Sequence, residues 1–315
     1  MIGEKEIWAN LTLITVLTGL PEEQFLELFS QIEDVYEEYE RERHTRPNRK
    51  RGVGGGRKCE TPLVVRVVMV LMYIRLYATQ EVVAFIFGKS KWDVCRDLRR
   101  LLPLITAHLP TPELINPVNE EGTQRMRIKT LEELLELYPD TIAILDATEQ
   151  PVEKSKDKEE RKRHYSGKKK RTTLKTQILI NGKKKIIYIY TGVAGSVHDY
   201  TMMKDSGVDE WIPEDVTLYL DKGYLGIEKD FPHLKVMIPK KKPKGGELNG
   251  EEKEKEKNKQ IGKVRVVVEH VIGWMKNFHI FSLVYRTGKD IYSMIVQTVG
   301  GLINLRRAHK ARTEM

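Results

Sequence analysis

Three apolar segments, far apart in the chain, each contain a single acidic residue. Residues 141–148 (TIAILDAT) and 216–224 (VTLYLDKGY) favour buried strands that deliver Asp146 and Asp221 at their ends. Residues 264–276 (VRVVVEHVIGWMK) favour a helix that carries Glu269. A carboxylate in an apolar setting is costly unless something pairs with it. These three acids therefore limit the fold to one that gives each of them a partner.

Taken singly, each acid has an ordinary structural interpretation. A strand-end aspartate is often a turn or cap residue, and a mid-helix glutamate often pairs with a lysine. Jointly, three carboxylates that a fold could bring together form a hard oxygen cage suited to Mg²⁺ or Mn²⁺, and so to phosphodiester chemistry. Without metal they would repel one another, so at least one pKa should be raised and a bound cation should stabilise the folded site.

Two basic residues are predicted to lie on the same side of a helix as Glu269. A helix is predicted from Gln260 to about Phe278, in which Arg265, Glu269 and Lys276 lie along one side. Arg265 can orient Glu269 or hold a phosphate oxygen, and Lys276 can bind nucleic acid as a point charge. The core-facing positions are predicted to be Val266, Val267, Ile272 and Met275.

Composition narrows the class of protein. At 315 residues, with 40% hydrophobic and 31% charged residues, the chain fits a soluble globular protein of two domains, or of one large domain with an appendage. A net charge of +9 suggests a polyanionic partner. Cys59 and Cys95 are too few for a disulfide framework or zinc cluster, and no long uncharged apolar run appears. We therefore expect a cytoplasmic protein with reduced thiols and no membrane partner.

Residues 61–109 resemble a helix-turn-helix DNA-binding domain. In TQEVVAFIFGKSKWDVCRDLRRLL, Thr79 and Ser90 can cap two helices and Gly88 can make the turn between them. The outward face of the last helix would then present a set of residues able to reach a major groove: Lys91, Trp92, Arg96 and Arg99. The alternative is a plain three-helix bundle whose polar face is basic.

The rest of the chain divides by composition into further segments. Residues 1–45 form an N-terminal helical segment, either an accessory or dimerising helix pair or one that simply packs on the rest of the chain. The other predicted parts are a basic Gly-rich linker (46–60), a connector (110–140), and a catalytic domain (141–315) with a charged insertion (239–259).

Two polar stretches flank the suspected site. A basic run, either a solvated face or a phosphate-binding segment, leads into a strand that is followed by a hairpin with Asn181-Gly182 at its tip. His198 and Asp199, in GSVHD, then open a helix and are assigned auxiliary roles. The residues of the basic run proposed to bind DNA are Lys168, Lys169, Lys170 and Arg171.

The segments ILDATEQPVE, YSGKKKRTTLKTQILI, GSVHDY, LYLDKGYLGIEKD and VRVVVEHVIGWMKNFHI resemble the motifs of insertion-sequence transposases of the DDE superfamily. The spacing of Arg265, Glu269 and Lys276 matches the signature around that family's last catalytic acid. Gly262 stands where many relatives have a tyrosine, so the auxiliary role of that tyrosine is not implied here. The likeness runs from about Thr61 to the C-terminal helix.

The resemblance implies an α/β fold: an RNase H-like catalytic core, with a mixed sheet flanked by helices, after an N-terminal all-α helix-turn-helix domain. It implies that Asp146, Asp221 and Glu269 form a metal-binding catalytic triad. Our hypothesis for this triad is phosphoryl transfer with two Mg²⁺ or Mn²⁺ ions, in which Asp146 holds both ions, Asp221 one and Glu269 the other. It also implies cleavage of element ends in double-stranded DNA, joining of the 3′-hydroxyl to target DNA, a homodimer on paired ends, and a prokaryotic, nucleoid-associated protein.

Two other functions remain open at this stage. One is a domesticated, catalytically silent DNA-binding regulator, which the presence of all three acids does not favour. The other is an RNase H-like nuclease without strand transfer, against which the helix-turn-helix and the long insertion argue.

Overall fold

A computed structural model of the chain describes residues 1–45, 59–115, 131–240 and 251–313. Nearly all of the predicted linker, and parts of the predicted connector and insertion, lie outside the described residues. So does most of the basic segment 240–244, which the sequence also suggests for phosphate contact. The described residues divide into two compact units. One contains 1–111, 277–280 and 294–315, and the other contains 112–276 and 281–293.

The helices of the described chain, in order, are α1 (Glu4–Ala9), α2 (Leu11–Thr18), α3 (Glu22–His44), α4 (Leu63–Leu76), α5 (Gln80–Phe87), α6 (Lys91–Ala107), α7 (Leu131–Leu137), α8 (Lys158–Arg163), α9 (Asp199–Ser206), α10 (Ile227–Asp230), α11 (Glu251–Lys276), α12 (His279–Ser282) and α13 (Tyr292–Thr313). Short 3-10 turns span Val208–Trp211, Lys222–Tyr224 and Lys289–Ile291.

The strands are β1 (Glu113–Ile115), β2 (Ile142–Pro151), β3 (Tyr165–Ser166), β4 (Arg171–Asn181), β5 (Ile186–Ala194), β6 (Thr217–Tyr219) and β7 (Lys235–Met237). They form one sheet in the order β1-β5-β4-β2-β6-β7, with β3 added beside β4. The pairs β2–β6, β6–β7 and β1–β5 are parallel, and the pairs that involve β4 are antiparallel. The mixed sheet flanked by helices confirms the predicted α/β class.

The first unit is built around α4. Its residues from Val64 to Ile74 are all buried, because apolar side chains occupy every side of the helix. Helices α2, α3, α5 and α6 pack against it. A helix enclosed in this way gains its stability from burial on all faces rather than from an amphipathic stripe.

The capping signals read from the sequence are confirmed in this unit. The Thr79 side chain accepts a hydrogen bond from Val82 N, so α5 begins at the predicted residue. Gly88 ends α5 in the left-handed region at φ 62°, where a side chain would be strained. Ser90 and Asp93 form a capping box at the start of α6.

Pro103 does not end α6, although a proline disfavours the interior of a helix. The helix continues through Pro103 to Ala107. An internal proline costs a helix about 3 kcal/mol. Here Leu104 and Ile105 are buried beyond it. Burial of these side chains offsets the lost backbone hydrogen bond.

The last helix groups with the N-terminal helices, whereas the sequence assigned it to the catalytic domain. Thr298 Oγ1 lies 2.7 Å from Thr106 Oγ1, and Asn304 Nδ2 donates to Pro110 O at 3.0 Å. The predicted connector also contributes to the sheet, because its residues Glu113–Ile115 form β1. The unit boundaries therefore depend on contacts between distant residues, which the composition of each segment does not predict.

Two further expectations can be compared with the described residues. Cys59 and Cys95 are both free thiols, as predicted. Within the described ranges, no helix combines the length and the apolar character needed to cross a bilayer.

A buried ion pair gives a test of the first unit. Arg66 donates to Asp97 from Nη2 at 2.7 Å and from Nε at 3.1 Å, and both side chains are buried. We expect Asp97→Ala to lower the free energy of unfolding by about 3–5 kcal/mol, because it leaves a buried arginine unpaired. Urea denaturation measures the change. Glu81→Gln, which breaks the exposed pair with Lys91, is the control and should leave the midpoint nearly unchanged. If the two variants unfold at the same urea concentration, the buried Arg66–Asp97 pair does not stabilise this unit more than an exposed pair does.

Candidate active site

Asp146 and Asp221 are brought to one level of the sheet by the parallel pairing of β2 and β6. Ile144 pairs with Tyr219 in that register. Each aspartate lies two residues further along its strand direction, and residues two apart point to the same face. The two carboxylates therefore lie side by side. The sequence placed Asp146 at the end of its strand, but β2 continues to Pro151 because its other edge stays paired with β4.

The Asp221 side chain also organises the chain that follows it. Asp221 is the N-cap of the 3-10 turn Lys222–Tyr224, and its carboxylate accepts a hydrogen bond from Gly223 N. Its side chain is 48% exposed, against 20% for Asp146.

Helix α11 covers this part of the sheet. Its buried positions Ile261, Val268, Ile272 and Met275 recur at spacings of three, four and seven residues, which places them on one stripe that faces β2 and β6. Of the core positions predicted from sequence, Ile272 and Met275 are buried, but Val266 is 40% exposed. The prediction for Val266 is wrong because the helix is rotated so that Val268 and Val271 face the sheet instead.

Arg265 continues the same stripe and points at the two aspartates. Its Nη2 lies 3.8 Å from Asp146 Oδ2 and 3.8 Å from Asp221 Oδ2. The side chain is only 16% exposed, and its Nε is buried without a hydrogen-bond partner among the described residues. Arg265 therefore contacts the aspartates by charge rather than by hydrogen bonds.

Burial raises the pKa of Asp146 to about 6. The hydrogen bond from Ala147 N, at 2.8 Å, and the charge of Arg265 oppose this rise, and the charges of Asp221 and Asp199 add to it. The sequence predicted a raised pKa at this site from repulsion among the acids. The rise is present, but its main cause is removal of the carboxylate from water.

Glu269 lies one turn beyond Arg265 on α11, and its side chain is exposed. Among the described residues, no set of three or more His, Cys, Asp or Glu side chains is arranged to hold a metal ion. The structure thus brings together two of the three predicted metal ligands, and Glu269 does not complete the set in the described conformation. The assignment of all three as a triad stays a prediction.

Asp146 and Asp221 fit a divalent cation by charge and chemistry. Asp146 is a mostly buried carboxylate that accepts no hydrogen bond from a cation in the described part of the chain, and Asp221 stands beside it with its side chain about half exposed. Paired carboxylate oxygens of this kind are the ligands that Mg²⁺ and Mn²⁺ prefer.

Lys276 lies at the C-terminal end of α11, close to the same site. Burial lowers its pKa, the charges of Lys169 and Lys168 lower it further, and those of Asp146 and Glu149 oppose this. Lys168 and Lys169 belong to the turn between β3 and β4. This turn and the first residue of β4 carry four exposed cations: Lys168, Lys169, Lys170 and Arg171. Positive charge therefore gathers next to the aspartates, as a phosphate-binding site requires.

His198 and Asp199 occupy the positions expected at the start of α9. His198 is the exposed N-cap residue and makes no side-chain cap hydrogen bond. Asp199 is held by Lys175 of β4, whose Nζ lies 2.8 Å from Asp199 Oδ1 and donates to Val197 O at 2.6 Å. The charge of Asp199 reaches Asp146, so an auxiliary role through electrostatics is compatible with its place.

Lys175 and Gln177 are site-supporting residues that the sequence analysis missed. Both are buried on β4, and Gln177 Nε2 donates to Tyr224 OH at 3.0 Å and to Asp199 O at 3.2 Å. They tie the start of α9 to the turn that follows Asp221. A signal was available, because a lysine and a glutamine interrupt the apolar strand TTLKTQILI.

Gly195 allows the backbone before His198 to lie against β4. Its N–H donates to Thr173 O at 3.0 Å. A side chain at this position would meet the backbone oxygens of His164 and Thr173 at 2.8 and 2.9 Å. A glycine is therefore required for this loop to reach β4.

The first unit carries a separate exposed face. On α6, Val94 and Leu98 are buried as predicted, and the four residues predicted to contact DNA are exposed: Lys91, Trp92, Arg96 and Arg99. Lys91 pairs with Glu81 at 2.7 Å, and Arg96 pairs with Asp93. These pairs are at the surface, where they contribute little to stability and can open for another anion.

The chain is similar in sequence to one family of known proteins. Residues 145–304 match the profile of the family described as DDE superfamily endonuclease. The chain is similar to a probable transposase for insertion sequence element IS702 from Microchaete diplosiphon. The two are 31% identical over 257 residues, which cover 81% of this chain and 85% of that protein. No solved structure matches the chain significantly.

The raised pKa of Asp146 gives a prediction for the metal-free protein. The folded state holds this proton more tightly than the unfolded chain, so stability should fall as the pH rises from about 4 to about 6. We expect Asp146→Asn to increase the free energy of unfolding at pH 7 by at most about 3 kcal/mol. The gain should fade toward pH 4.

Unfolding in EDTA across this pH range measures the effect. Asp205→Asn, at an exposed position of α9, is the matched control and should follow the wild-type profile. If Asp146→Asn shows no pH-dependent gain, Asp146 does not titrate in this window.

Proposed function

This chain belongs to the DDE superfamily of endonucleases, and from that membership we propose that it is a DNA transposase that cleaves the ends of a mobile element and joins the freed 3′-hydroxyl to target DNA. The resemblance to DDE insertion-sequence transposases is confirmed at the level of the family. The observation that carries the proposal is the convergence of Asp146 and Asp221 on one face of the sheet beside Arg265.

The catalytic unit is proposed to be RNase H-like. The strand that bears Asp146 lies at the centre of the sheet, between the antiparallel β4 and the parallel β6 that leads to Asp221. The helix that bears Glu269 packs against these strands. This order of elements supports the proposal because Asp146 and Asp221 lie at one level of the sheet, in the part that α11 covers.

Endonucleases of this superfamily generally use divalent metal ions. Asp146 and Asp221 would hold two Mg²⁺ or Mn²⁺ ions together with Glu269, whose exposed side chain is free of core packing on α11. When bound, such ions activate the attacking oxygen and stabilise the leaving oxygen of a phosphodiester. The chain therefore needs no histidine or cysteine nucleophile.

The chain's own cations would position the DNA. Lys276 is half-buried beside the aspartates, where it can hold a phosphate near the reacting bond. The exposed cations of the β3–β4 turn and Arg171 at the start of β4 extend the positive surface and would follow the DNA backbone. Asp199 and Lys175 would keep the start of α9 in place behind Asp146.

Helices α5 and α6 are proposed to form a helix-turn-helix that reads double-stranded DNA. Their caps and turn have the predicted geometry, and the cations and Trp92 of α6 face solvent. A homodimer on paired element ends, in the cytoplasm and nucleoid of a prokaryote, would follow from the same proposal.

A single assay separates the transposase from its alternatives. The protein is incubated with Mg²⁺, a supercoiled donor and a candidate terminal repeat. Joined products support the transposase. Cutting without joining would indicate an RNase H-like nuclease without strand transfer, and binding without cutting would indicate a silent DNA-binding regulator.

Removing the central acid tests the catalytic assignment. We expect Asp146→Ala to reduce metal-dependent cleavage by more than about a hundredfold. Loss of a residue that only hydrogen-bonds to a metal ligand already lowers metal affinity or activity by about 10–100-fold, and Asp146 is proposed to be a ligand itself. Binding to element-end DNA should persist. Gel assays of nicking and of complex formation measure the two effects. Asp205→Ala is the control and should cleave normally. Undiminished nicking by Asp146→Ala would refute the assignment.

Salt dependence tests the proposed phosphate contacts. The logarithm of the binding constant should fall with the logarithm of salt concentration by about 0.9 per neutralised phosphate. Lys169→Gln should reduce that slope by roughly one such increment, whereas Lys235→Gln, on the edge strand β7, should not change it. Fluorescence anisotropy over a salt series gives the slopes. A binding constant that does not change with salt concentration would contradict the proposed phosphate contacts.

A further inference from the structure

Arg265 occupies the approach to both aspartates that the proposed function assigns to metal ions. One atom, Nη2, is 3.8 Å from a carboxylate oxygen of Asp146 and 3.8 Å from one of Asp221. Each distance is beyond the range of a hydrogen bond but within that of an ion pair. The guanidinium therefore neutralises the pair of acids without being bonded to either.

The same chain contains an arginine that is locked in place, and the contrast is informative. Arg66 donates two hydrogen bonds to Asp97, at 2.7 and 3.1 Å, in the bidentate geometry typical of structural pairs. Arg265 has two carboxylates within reach and uses neither in this way. Its Nε is buried and has no partner among the described residues. A purely structural role would be expected to satisfy that donor.

We propose that Arg265 is an exchangeable counter-cation of the site, which balances Asp146 and Asp221 in the metal-free protein and is displaced when a divalent ion binds. The proposal rests on the proposed function, since it requires these aspartates to bind metal. A guanidinium about 4 Å from both ligands and a divalent ion between them would repel strongly in a partly buried site. The long arginine side chain can swing away without a movement of α11.

If this exchange occurs, the positive charge of Arg265 lowers the affinity of Asp146 and Asp221 for a divalent ion. Arg265→Gln removes the competing charge, so the affinity of the aspartates for Mn²⁺ should rise about tenfold, or ~1.4 kcal/mol. Arg265→Lys keeps a cation and should bind Mn²⁺ nearly as the wild type does. Lys263→Gln removes one positive charge from an exposed position of the same helix, and it should also match the wild type.

Stability without metal supplies a second readout. In EDTA, Arg265→Gln should lower the melting temperature, because two neighbouring carboxylates lose their counter-charge. The same substitution should have little effect in a protein that also carries Asp146→Asn and Asp221→Asn. This cycle separates loss of the charge interaction from loss of packing.

The experiment is a calorimetric titration of the full-length protein with Mn²⁺, with the double Asp→Asn variant as the blank for binding elsewhere. Tighter binding by Arg265→Gln, with Lys263→Gln unchanged, supports the exchange. Equal or weaker binding by Arg265→Gln, while the blank has lost binding, overturns it and leaves the proposed metal site intact. If the blank binds Mn²⁺ as the wild type does, both the exchange and the proposed metal site fail.

Discussion

The parallel pairing of β2 with β6 is the contact on which the candidate site depends. Three pairs, from Ile142–Thr217 to Ile144–Tyr219, fix the register of the two strands. A slip of one residue would turn one aspartate to the opposite face of the sheet. The apolar residues that precede each acid are buried and cannot be exposed without a large loss of stability, so the same side chains that form the core also set the position of the carboxylates.

The rotation of α11 about its own axis is the second constraint, because it decides which side chains of that helix face the aspartates. Burial of Val268 and Met275 against the sheet turns Arg265 inward and leaves Glu269 at the exposed side. The cation thus meets the aspartates more directly than the third acid does. The charge of Arg265 balances Asp146 and Asp221 in this structure, and the proposed exchange would replace it with a divalent ion.

Local signals predicted the elements well where the cause is local. Helix α5 begins and ends where Thr79 and Gly88 placed it, because a cap hydrogen bond and a left-handed residue act within a single turn. The hairpin loop lies at 182–185, one residue later than the predicted tip because Asn181 is still paired in β4, and α9 begins directly after His198 as predicted. Pro103 is the opposite case, because its local preference opposes a helix, yet α6 continues through it and buries Leu104 and Ile105.

The α/β class was implied by the resemblance to a known family. The residues by themselves determined the main strands and helices, the three acids in apolar surroundings, and the basic residues near them. They did so because hydrophobic period, caps and turns depend on neighbours in the chain. Only the tertiary structure decided that Arg265 faces Asp146 and Asp221, that Lys175 supports Asp199, and that the last helix joins the N-terminal unit. Strand register and helix rotation are settled by contacts between distant residues, and spacing along one chain does not encode them.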